Sequence, residues 1–516
     1  MKNLSSFFML FFLASLLTAQ PAIEWQKAFG GSKDDTQYDI QNTSDGGTIM
    51  AGMTYSNDGD ATLNHGEQDF WVVKLNVAGD IEWQKSLGGS SYDGAHSIQQ
   101  TSDGGYIIAG YTYSNDGDVS GYHGKADCWV VKITHEGEIQ WQKAFGGTGS
   151  DSAISAIQTI DGGYIVAAST ESNDGDVSGN PGTDDIWVIK LSNAGDIQWQ
   201  KLLGGSAADF ATSIQQTNDG GYIVAGHTCS NDGDVTGFHG VADVWIVKLN
   251  DVGDIQWQKA FGGIGKSSSY SALQTNDGGY IVAASTEAND GDVSGNNGIS
   301  DGWIIKLSDL GNLEWQKTIG GSLYDIVSSI RQTHDGGYIV AASSLSTDGD
   351  VTGNHGATDF WVVKLGDSGV IQWQKCIGGA NPEASLNIQQ TSDYGYIVIG
   401  QIGSPDWDIS GYHGKIECGV VKLAPESVDV LTQPVSQLKY LEISPNPTSS
   451  HIFLNISPEV SRLSVIISNL MGQKLIQQTI ETADFLDVSA LPNGLYVMVA
   501  SSASGEIYTN KLTISK

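Results

Sequence analysis

Hydrophobic and polar positions repeat with a period of 58 from residue 23 to residue 423. The most constant element is Trp-Gln-Lys, whose copies begin at Trp25, Trp83, Trp141, Trp199, Trp257, Trp315 and Trp373. A fixed period of this length is typical of a repeat architecture in which each repeat is one supersecondary unit. We therefore expect most of the chain to be a single structural unit used many times.

The second repeat contains four segments with the character of β-strands. Residues 93–101 end in a β-compatible sequence, and the Asp-Gly-Gly turn at 103–105 leads into the apolar, β-branched run 106–113. Such a run is typical of a strand that is buried on both faces. Residues 129–133 predict a third strand, and residues 139–143 alternate between polar and apolar positions as an exposed edge strand does. No helical period is present.

Four antiparallel strands per repeat predict the blade of a β-propeller. A β-solenoid has shorter coils, and separate 58-residue domains could not close their own cores. The third strand occurs seven times, but its last copy, which ends at Leu423, has no Trp-Gln-Lys strand after it. The predicted fold class is therefore all-β, a seven-bladed β-propeller with four strands per blade, in which the N-terminal strand Ile23 to Ala28 closes the last blade.

The antiparallel order of the strands also determines on which face of the predicted propeller each connection lies. The Asp-Gly-Gly and Asn-x-x-Gly-Asp turns fall on one face, whereas the Gly-Gly-Ser-x-x-Asp connection and the long Ser-Asn-Asp-Gly-Asp loop fall on the other. The second face carries nearly all the side-chain variety. Because binding residues concentrate on loops that a rigid scaffold holds, we expect binding on that face.

The motifs of one repeat together resemble a known family. Gly88-Gly89-Ser90, Asp103-Gly104-Gly105-Tyr106, Trp129-Val-Val-Lys132 and the segment from Gly137 to Trp141 are similar to the secreted bacterial β-propeller repeat of the SBBP type. The resemblance covers residues 23 to 423. It implies a propeller in an extracytoplasmic setting, and it brings no catalytic residues with it.

The start of the chain predicts a secretory signal over residues 1–19. Lys2 supplies the positive charge, Phe7 to Leu17 is an almost unbroken apolar run, and Ala19 offers a small residue at the cleavage point. The run is shorter than the ~20 apolar residues that a membrane span needs. No later segment is apolar enough to span, so no transmembrane segment is expected after signal removal.

The formal net charge of −34 narrows the range of partners. A surface this acidic repels phosphate backbones, and no Lys/Arg cluster opposes it, so nucleic acid is excluded as an expected partner. Cations, or partners with a basic face, fit such a surface better.

The aspartates of the long loop are the candidate metal ligands. Three carboxylates per repeat, together with loop carbonyls, match the hard oxygen ligands that Ca²⁺ prefers, and no other cofactor is expected. The alternative is that the carboxylates cap turns through backbone amides, and the spacing differs from that of an EF-hand loop. The candidates are Asp58, Asp60, Asp69, Asp116, Asp118, Asp127, Asp174, Asp176, Asp185, Asp232, Asp234, Asp243, Asp290, Asp292, Asp301, Asp348, Asp350 and Asp359, with Asp406, Asp408 and Glu417 as a degenerate seventh set.

Repetition disfavours catalysis, because an active site needs unlike groups that converge on one point. Departures from the repeat are the exceptions, and they are Lys33, Lys266, Arg331, Glu383 and the stretch 405–407. None of them forms a recognisable acid/base or nucleophile set. Loop aromatic residues could stack on sugars or simply pack the loops, and they are Tyr122, Phe238, Trp407 and Tyr412. A histidine recurs at one loop position in five repeats, where we expect it to bond within its own loop: His65, His123, His239, His355 and His413.

The repeat stops at Leu423 and a different region follows. Residues 424–438 contain two prolines and no periodicity, which predicts a linker. From residue 439 to 516, short alternating segments predict a small β-sandwich. The segments Ile443-Ser-Pro-Asn-Pro447, Leu491-Pro-Asn-Gly-Leu-Tyr496 and Lys511 to Lys516 resemble the type A C-terminal sorting domain of the type IX secretion system. That resemblance implies a Bacteroidetes-type bacterium, the secretion machinery as a partner, and a protein that is secreted or attached to the outer cell surface.

Together these features predict a secreted or surface-attached binding or adhesion module for polysaccharide or a protein partner. Two other functions stay open at this point. One is a glycan hydrolase or lyase that uses the variable loop face, and the other is a purely structural surface component.

Overall fold

A computed structural model of the chain describes residues 20–180, 182–403, 412, 414–426, 438–440, 442–455, 462–469, 474–481, 485–502 and 507–516. The predicted signal segment 1–19 and most of the predicted linker lie outside these residues. The chain divides into two compact units, Met1–Glu426 and Ser427–Lys516. The described residues form strands and turns but no helix, and accordingly no helix among them could cross a membrane.

The first unit contains seven four-stranded sheets. The first strands are β2 Asp35–Asn42, β6 Asp93–Gln100, β10 Asp151–Gln158, β14 Asp209–Gln216, β18 Ser267–Gln274, β22 Asp325–Gln332 and β26 Ala384–Gln390. The second strands are β3 Thr48–Thr54, β7 Tyr106–Thr112, β11 Tyr164–Thr170, β15 Tyr222–Thr228, β19 Tyr280–Thr286, β23 Tyr338–Ser344 and β27 Tyr396–Ile402.

The remaining strands complete each sheet in antiparallel order. The third strands are β4 Asp69–Leu75, β8 Asp127–Ile133, β12 Asp185–Leu191, β16 Asp243–Leu249, β20 Asp301–Leu307, β24 Asp359–Leu365 and β28 Glu417–Leu423. The fourth strands are β5 Ile81–Leu87, β9 Ile139–Phe145, β13 Ile197–Leu203, β17 Ile255–Phe261, β21 Leu313–Ile319, β25 Ile371–Ile377 and, for the last sheet, β1 Ile23–Phe29. We number the sheets 1 to 7 by their first strands, so sheet 7 is β26, β27, β28 and β1.

Sheet 7 is built from both ends of the repeat region. β1 pairs antiparallel with β28, with Ile23 opposite Leu423, Lys27 opposite Val420 and Phe29 opposite Cys418. The predicted pairing of the N-terminal strand with the last third strand is therefore what the structure shows. The all-β class and the repeated four-stranded antiparallel sheets are likewise confirmed.

Burial explains the sequence pattern of the strands. Every third strand is buried at all positions, and the second strands are buried at nearly all of them, which requires continuous apolar runs. The fourth strands are half-exposed, as their alternation predicts. Some boundaries differ, since the third strand begins at Asp127 rather than at Trp129 and the fourth ends at Phe145 rather than at Lys143. The candidate ligand Asp127 is thus part of a strand rather than of the loop before it.

Apolar clusters join each sheet to its neighbour. Ile49 and Phe70 of sheet 1 share one buried cluster with Ile98 of sheet 2. Phe29 and Val420 of sheet 7 share another with residues of sheet 1. The other five clusters of the first unit join sheets 2 to 7 in consecutive pairs. No sheet buries its apolar faces alone, as expected for stacked repeats.

The Trp-Gln-Lys motif has a structural role at these interfaces. Gln142 accepts a hydrogen bond of 2.8 Å from the indole Nε1 of Trp129, which is fully buried. Trp141 packs against Gly195 in the turn of the next sheet, where a Cβ would lie 2.8 Å from its ring. Gly195 also has a φ of +80°, a conformation that glycine adopts at little cost.

The second unit contains two sheets around one apolar core. Its strands are β29 Leu438–Tyr440, β30 Glu442–Ser444, β31 His451–Asn455, β32 Arg462–Asn469, β33 Lys474–Glu481, β34 Phe485–Asp487, β35 Gly494–Ser502 and β36 Ile507–Ile514. Their order is β29-β36-β35-β32-β33 in one sheet and β30-β31-β34 in the other. Leu463 and Leu486 bring the two sheets into a single core cluster. Leu438, expected as the last linker residue, instead begins β29.

Candidate functional site

The first strands of all seven sheets line one cavity of about 560 Å³. Residues two apart on a strand face the same side, so Ser97 and Gln99 of β6 both reach its wall. A second cavity of about 340 Å³ shares Asp39, Ser97 and Arg331 with the first. The described lining is dominated by hydroxyl and amide groups with a few aliphatic side chains.

Glutamine side chains fix the wall of this cavity. The Oε1 atom of one glutamine in each of six first strands accepts a hydrogen bond from a backbone amide of the turn in the preceding sheet. The pairs are Gln100 with Ser44, Gln158 with Ser102, Gln216 with Ile160, Gln274 with Asn218, Gln332 with Asn276 and Gln390 with His334, at 2.8–3.0 Å. These bonds tie the first strand of one sheet to its neighbour and give the cavity a rigid wall.

Repeat symmetry is broken where sheets 6, 7 and 1 meet. Asp39 occupies a position that is serine in sheets 2 to 6 and Asn387 in sheet 7. The Nδ2 of Asn387 donates to Asp39 Oδ1 at 2.6 Å, and Asn387 Oδ1 accepts from Arg331 Nη2 at 3.1 Å. Asp39 Oδ2 accepts from the amide of Ile98 at 2.9 Å. One anion and one cation are thus bridged by an amide at the cavity wall.

The charges of this pair are set by opposing effects. Burial raises the pKa of Asp39 to about 6, although the Ile98 amide and the positive charge of Arg331 act in the opposite direction. Burial also lowers the pKa of Arg331, while Asp39 opposes that change. Both groups are charged at neutral pH, and Asp39 can take up a proton in mild acid. Asp39 can therefore accept a hydrogen bond from a polar ligand, and Arg331 can donate one to it.

The eighteen predicted calcium ligands fall into three groups of six. In the first group, Oδ1 accepts a hydrogen bond from a backbone amide in the connection that leads into the first strand of the same sheet. Asp58, for example, accepts from the amide of Ser32 at 2.8 Å. The group is Asp58, Asp116, Asp174, Asp232, Asp290 and Asp348. In the second, Oδ2 accepts from the first glycine of that connection at 3.2–3.4 Å; the group is Asp60, Asp118, Asp176, Asp234, Asp292 and Asp350. The third group begins the third strands and is buried: Asp69, Asp127, Asp185, Asp243, Asp301 and Asp359.

The third group lies between its own loop and the next sheet. A Cβ at Gly88 would lie 2.7 Å from Asp69 Oδ1 and 2.6 Å from Asp93 Oδ2, so the glycine separates two buried carboxylates. Asp69 Oδ2 accepts from the amide of His65 at 2.7 Å, whereas its Oδ1 is buried and has no hydrogen-bond partner. The three aspartates of one repeat are therefore divided between two junctions.

This division bears directly on the calcium prediction. Among the described residues, no group of three or more His, Cys, Asp or Glu side chains is placed to hold a metal ion. Most of the carboxylates already accept hydrogen bonds from backbone amides, as the turn-capping alternative expects. The calcium site stays a prediction that this arrangement does not favour.

We expect removal of calcium to leave the thermal stability unchanged. Backbone amides already donate hydrogen bonds to Asp58 and Asp60, so these carboxylates do not need a cation as a partner. Thermal melting of the purified chain before and after treatment with EGTA, with elemental analysis of the same sample, checks this. Bound calcium together with a lower melting temperature after EGTA would show that the aspartates form metal sites.

The buried aspartates of the third group should make the first unit more stable in mild acid. Burial raises the pKa of Asp69 and Asp301 to about 6 and that of Asp185 to about 7, where the neighbouring Asp209 also contributes. The pKa of an aspartate in an unfolded chain is ~3.9. The folded chain therefore binds more protons between about pH 4 and 7, and stability falls as pH rises through this window.

Thermal melting at pH 5 and pH 7.5 tests this expectation. The melting temperature should be higher at pH 5, and Asp185→Asn should raise it at pH 7.5 and reduce the difference. Asp251→Asn is the matched control, because it removes the same charge from an exposed position. A chain that becomes more stable from pH 5 to 7.5, or an identical response of the two variants, would contradict the expectation.

The remaining candidates have local partners. The rings of His65, His123, His239 and His355 contact the aspartate four residues on at 2.8–2.9 Å. His413 and the stretch 404–411, which includes Asp406, Trp407 and Asp408, lie outside the described residues. The hydroxyl groups of Tyr122 and Tyr412 donate to the carbonyls of Lys125 and Lys415, and Phe238 packs against the cluster between sheets 3 and 4. Glu383 lies buried beside Gly379, whose amide donates to it at 3.0 Å.

Sequence reasoning singled out Arg331 but missed its neighbours Asp39 and Asn387. The signal was present, because a comparison of aligned positions shows aspartate and asparagine where the other repeats have serine. The sequence does not show how close the first strands of sheets 6, 7 and 1 lie to one another. That distance decides whether Arg331 of sheet 6 and Asp39 of sheet 1 can both contact Asn387 of sheet 7.

Comparison with known proteins identifies the second unit. Residues 442–515 match the family described as the secretion system C-terminal sorting domain. The chain carries a type IX secretion sorting domain. This sorting domain implies export by the type IX secretion machinery and a location outside the cell, attached to the outer surface.

The chain has a distant relative of greater length. The regulatory protein FlaEY of Caulobacter vibrioides is 22% identical over 451 residues, which cover 78% of this chain and 46% of that protein. The chain thus spans about half the length of the curated relative that it matches.

Solved structures of low similarity were also found. Prolyl oligopeptidase B from Galerina marginata matches 71% of this chain and 46% of its own at 11% identity, with a TM-score of 0.36. The apocarotenoid oxygenase of Synechocystis matches 80% of this chain and 95% of its own at 13% identity, with a TM-score of 0.38. Likenesses at these TM-scores carry no conclusion about this chain.

Proposed function

We propose that the protein is an exported binding module that holds polysaccharide at the outer cell surface. In this proposal the seven sheets are the blades of a seven-bladed β-propeller over residues 20–423. Residues 1–19 are its signal, residues 424–437 are a linker that ends where β29 begins, and residues 438–516 deliver it to the surface. The observation that carries the binding role is the polar cavity lined by the first strands of all seven sheets.

Three contacts support the arrangement of the sheets as a ring. β1 supplies the fourth strand of sheet 7, and the amide of Asp35 in sheet 1 donates to the carbonyl of Ile416 beside β28 at 2.8 Å. Asn42 Nδ2 of sheet 1 donates to the carbonyl of Gln390 in sheet 7 at 2.8 Å. One apolar cluster joins sheet 7 to sheet 1, so every sheet packs against a neighbour on both sides. A propeller in which the first strand of each blade faces the axis accounts for all of these contacts.

The chemistry of the cavity wall favours binding over hydrolysis. Glycoside hydrolases generally use two carboxyl groups that flank the scissile bond. The described residues that line the two cavities include a single carboxyl group, that of Asp39. Serine hydroxyls and glutamine amides instead provide donors and acceptors that suit a ligand rich in hydroxyl groups.

A glycan array tests this function directly. The purified chain from Gln20 to Lys516 should bind one class of polysaccharide and leave its chain length unchanged on prolonged incubation. Reducing-end release measured on the retained polysaccharide would instead assign the protein to the enzymes. Absence of binding to every glycan, together with retention by a surface protein, would replace the ligand class by a protein partner.

A further inference from the structure

An aromatic cavity lies where sheets 1, 2 and 3 meet. It has a volume of about 420 Å³, and its wall includes Tyr55, Tyr92, Tyr111, Tyr113 and His96. We call it the tyrosine pocket. It belongs to the loop-bearing face, because Tyr55 follows β3 into the long loop and Tyr92 ends the connection that leads into β6.

The rings of the pocket are held by contacts with one another. Tyr111 packs edge-on against Tyr113 with centroids 5.9 Å apart, and His96 lies 5.4 Å from Tyr111. Tyr55 and Tyr92 form a further edge contact at 6.5 Å. Tyr92 and Tyr113 nevertheless remain 43% exposed. Two aromatic rings are therefore presented to solvent on a support that is already packed.

This cluster occurs once in the chain. At the positions of Tyr92, Tyr111 and Tyr113, sheet 3 has serine, serine and glutamate, and sheet 4 has alanine, histidine and cysteine. No other repeat carries tyrosine at more than one of the three positions. The blade fold therefore does not require these rings, since six other sheets are built without the set.

The polar groups of the pocket are uncharged and oriented. Gln68 Nε2 donates to the hydroxyl of Tyr111 at 3.0 Å, which leaves that hydroxyl hydrogen available to a ligand. His96 Nδ1 lies 3.0 Å from the carbonyl of Ala153, so Nδ1 carries the proton and Nε2 is an acceptor in the neutral ring. Burial lowers the pKa of His96, which keeps the ring neutral. The Ser152 hydroxyl is buried without a hydrogen-bond partner.

These features select a class of ligand. Exposed aromatic faces with a few hydrogen-bonding groups suit a ring that has an apolar C–H face and a rim of hydroxyls. No side chain of the described lining is charged, in a chain whose net charge is −34. We propose that the tyrosine pocket is a subsite that stacks a sugar ring of a neutral polysaccharide. This inference rests on the proposed function and gives its ligand a place.

Calorimetric titration with defined oligosaccharides tests the subsite. The probes are neutral hexasaccharides of β-1,4-glucose, β-1,4-xylose, β-1,4-mannose and β-1,3-glucose, with hexagalacturonate as the acidic comparison. Tyr92→Ala and Tyr113→Ala should each raise the Kd for the neutral probe that binds by about tenfold or more, and Tyr92→Phe should retain binding. Tyr324→Ala is the matched control, because Tyr324 occupies the position of Tyr92 in sheet 6 and is 46% exposed.

The outcomes separate the subsite from the function. Thermal melting of each variant verifies that it is folded. If the wild-type chain binds a neutral hexasaccharide and both alanine variants bind it as tightly, the subsite is wrong and the proposed function stands. Equal losses in Tyr324→Ala, or a preference for hexagalacturonate, also overturn the subsite. A wild-type chain that binds none of the probes and no glycan of the array overturns both proposals.

Discussion

Deletion of residues 20–29 should abolish the cooperative unfolding transition of the first unit. This change removes β1, which covers one edge of β28, a strand that is buried at every position. It also removes Phe29, which is 5% exposed, and truncation of such a residue alone costs about 3–5 kcal/mol. Lys27, whose Nζ lies 2.6 Å from Asp80 of sheet 1, is lost as well. The damage should therefore spread beyond sheet 7.

Differential scanning calorimetry of the chains 30–516 and 20–516 measures this effect. A chain that ends at Glu426 is the control, because it removes a much longer segment from the other end but keeps all seven sheets, and its main transition should stay in place. A deletion chain that loses only a small part of its unfolding enthalpy and melts at the wild-type temperature would show that sheets 1 to 6 do not depend on closure by β1.

The second large effect should follow from Arg331→Gln. This variant leaves Asp39 at the cavity wall without its cation. Removal of one partner of a fully buried charge pair costs about 3–5 kcal/mol, and these half-buried groups should fall at the lower end of that range. The cost should be smaller at pH 5 than at pH 7.5, because burial already holds the pKa of Asp39 near 6 and the protonated carboxyl group needs no cation. Urea unfolding at the two pH values measures both quantities.

Asp39→Ser combined with Arg331→Gln is the matched variant. It introduces the residues that other repeats carry at these positions, such as Ser97 and Gln99. We expect the double variant to return to within about 1 kcal/mol of the wild type, which corresponds to a large coupling energy in the double-mutant cycle. Additive losses would show that the two charges do not interact across Asn387.

Much of the first unit follows from the sequence because its strands are buried in a periodic way. A strand such as β8, covered on both faces, must be apolar throughout, and its copies therefore repeat. The pairing of β1 with β28 follows from counting strands. By contrast, the sequence pattern does not indicate β33, which is mostly exposed and has no apolar alternation, or β34, which is only three residues long.

The candidate sites depend on distances that no local pattern encodes. Asp127 is close to Trp129 in sequence, yet its carboxylate faces Asp151 across a junction between sheets. The grouping of Tyr55 with Tyr92 and Tyr113 likewise arises from the stacking of two sheets. Departures from the repeat could be found by aligning it, but their convergence on one pocket required the structure.

The stoichiometry of ligand binding tests the central claim most directly. In the proposed function the scaffold is repeated, but all seven sheets share one polar cavity and the tyrosine pocket occurs once, so the ligand should bind once per chain. Calorimetric titration of the chain from Gln20 to Lys516 with a short neutral oligosaccharide should give one site per chain. A stoichiometry approaching the number of repeats, or no binding to any glycan, would contradict the claim.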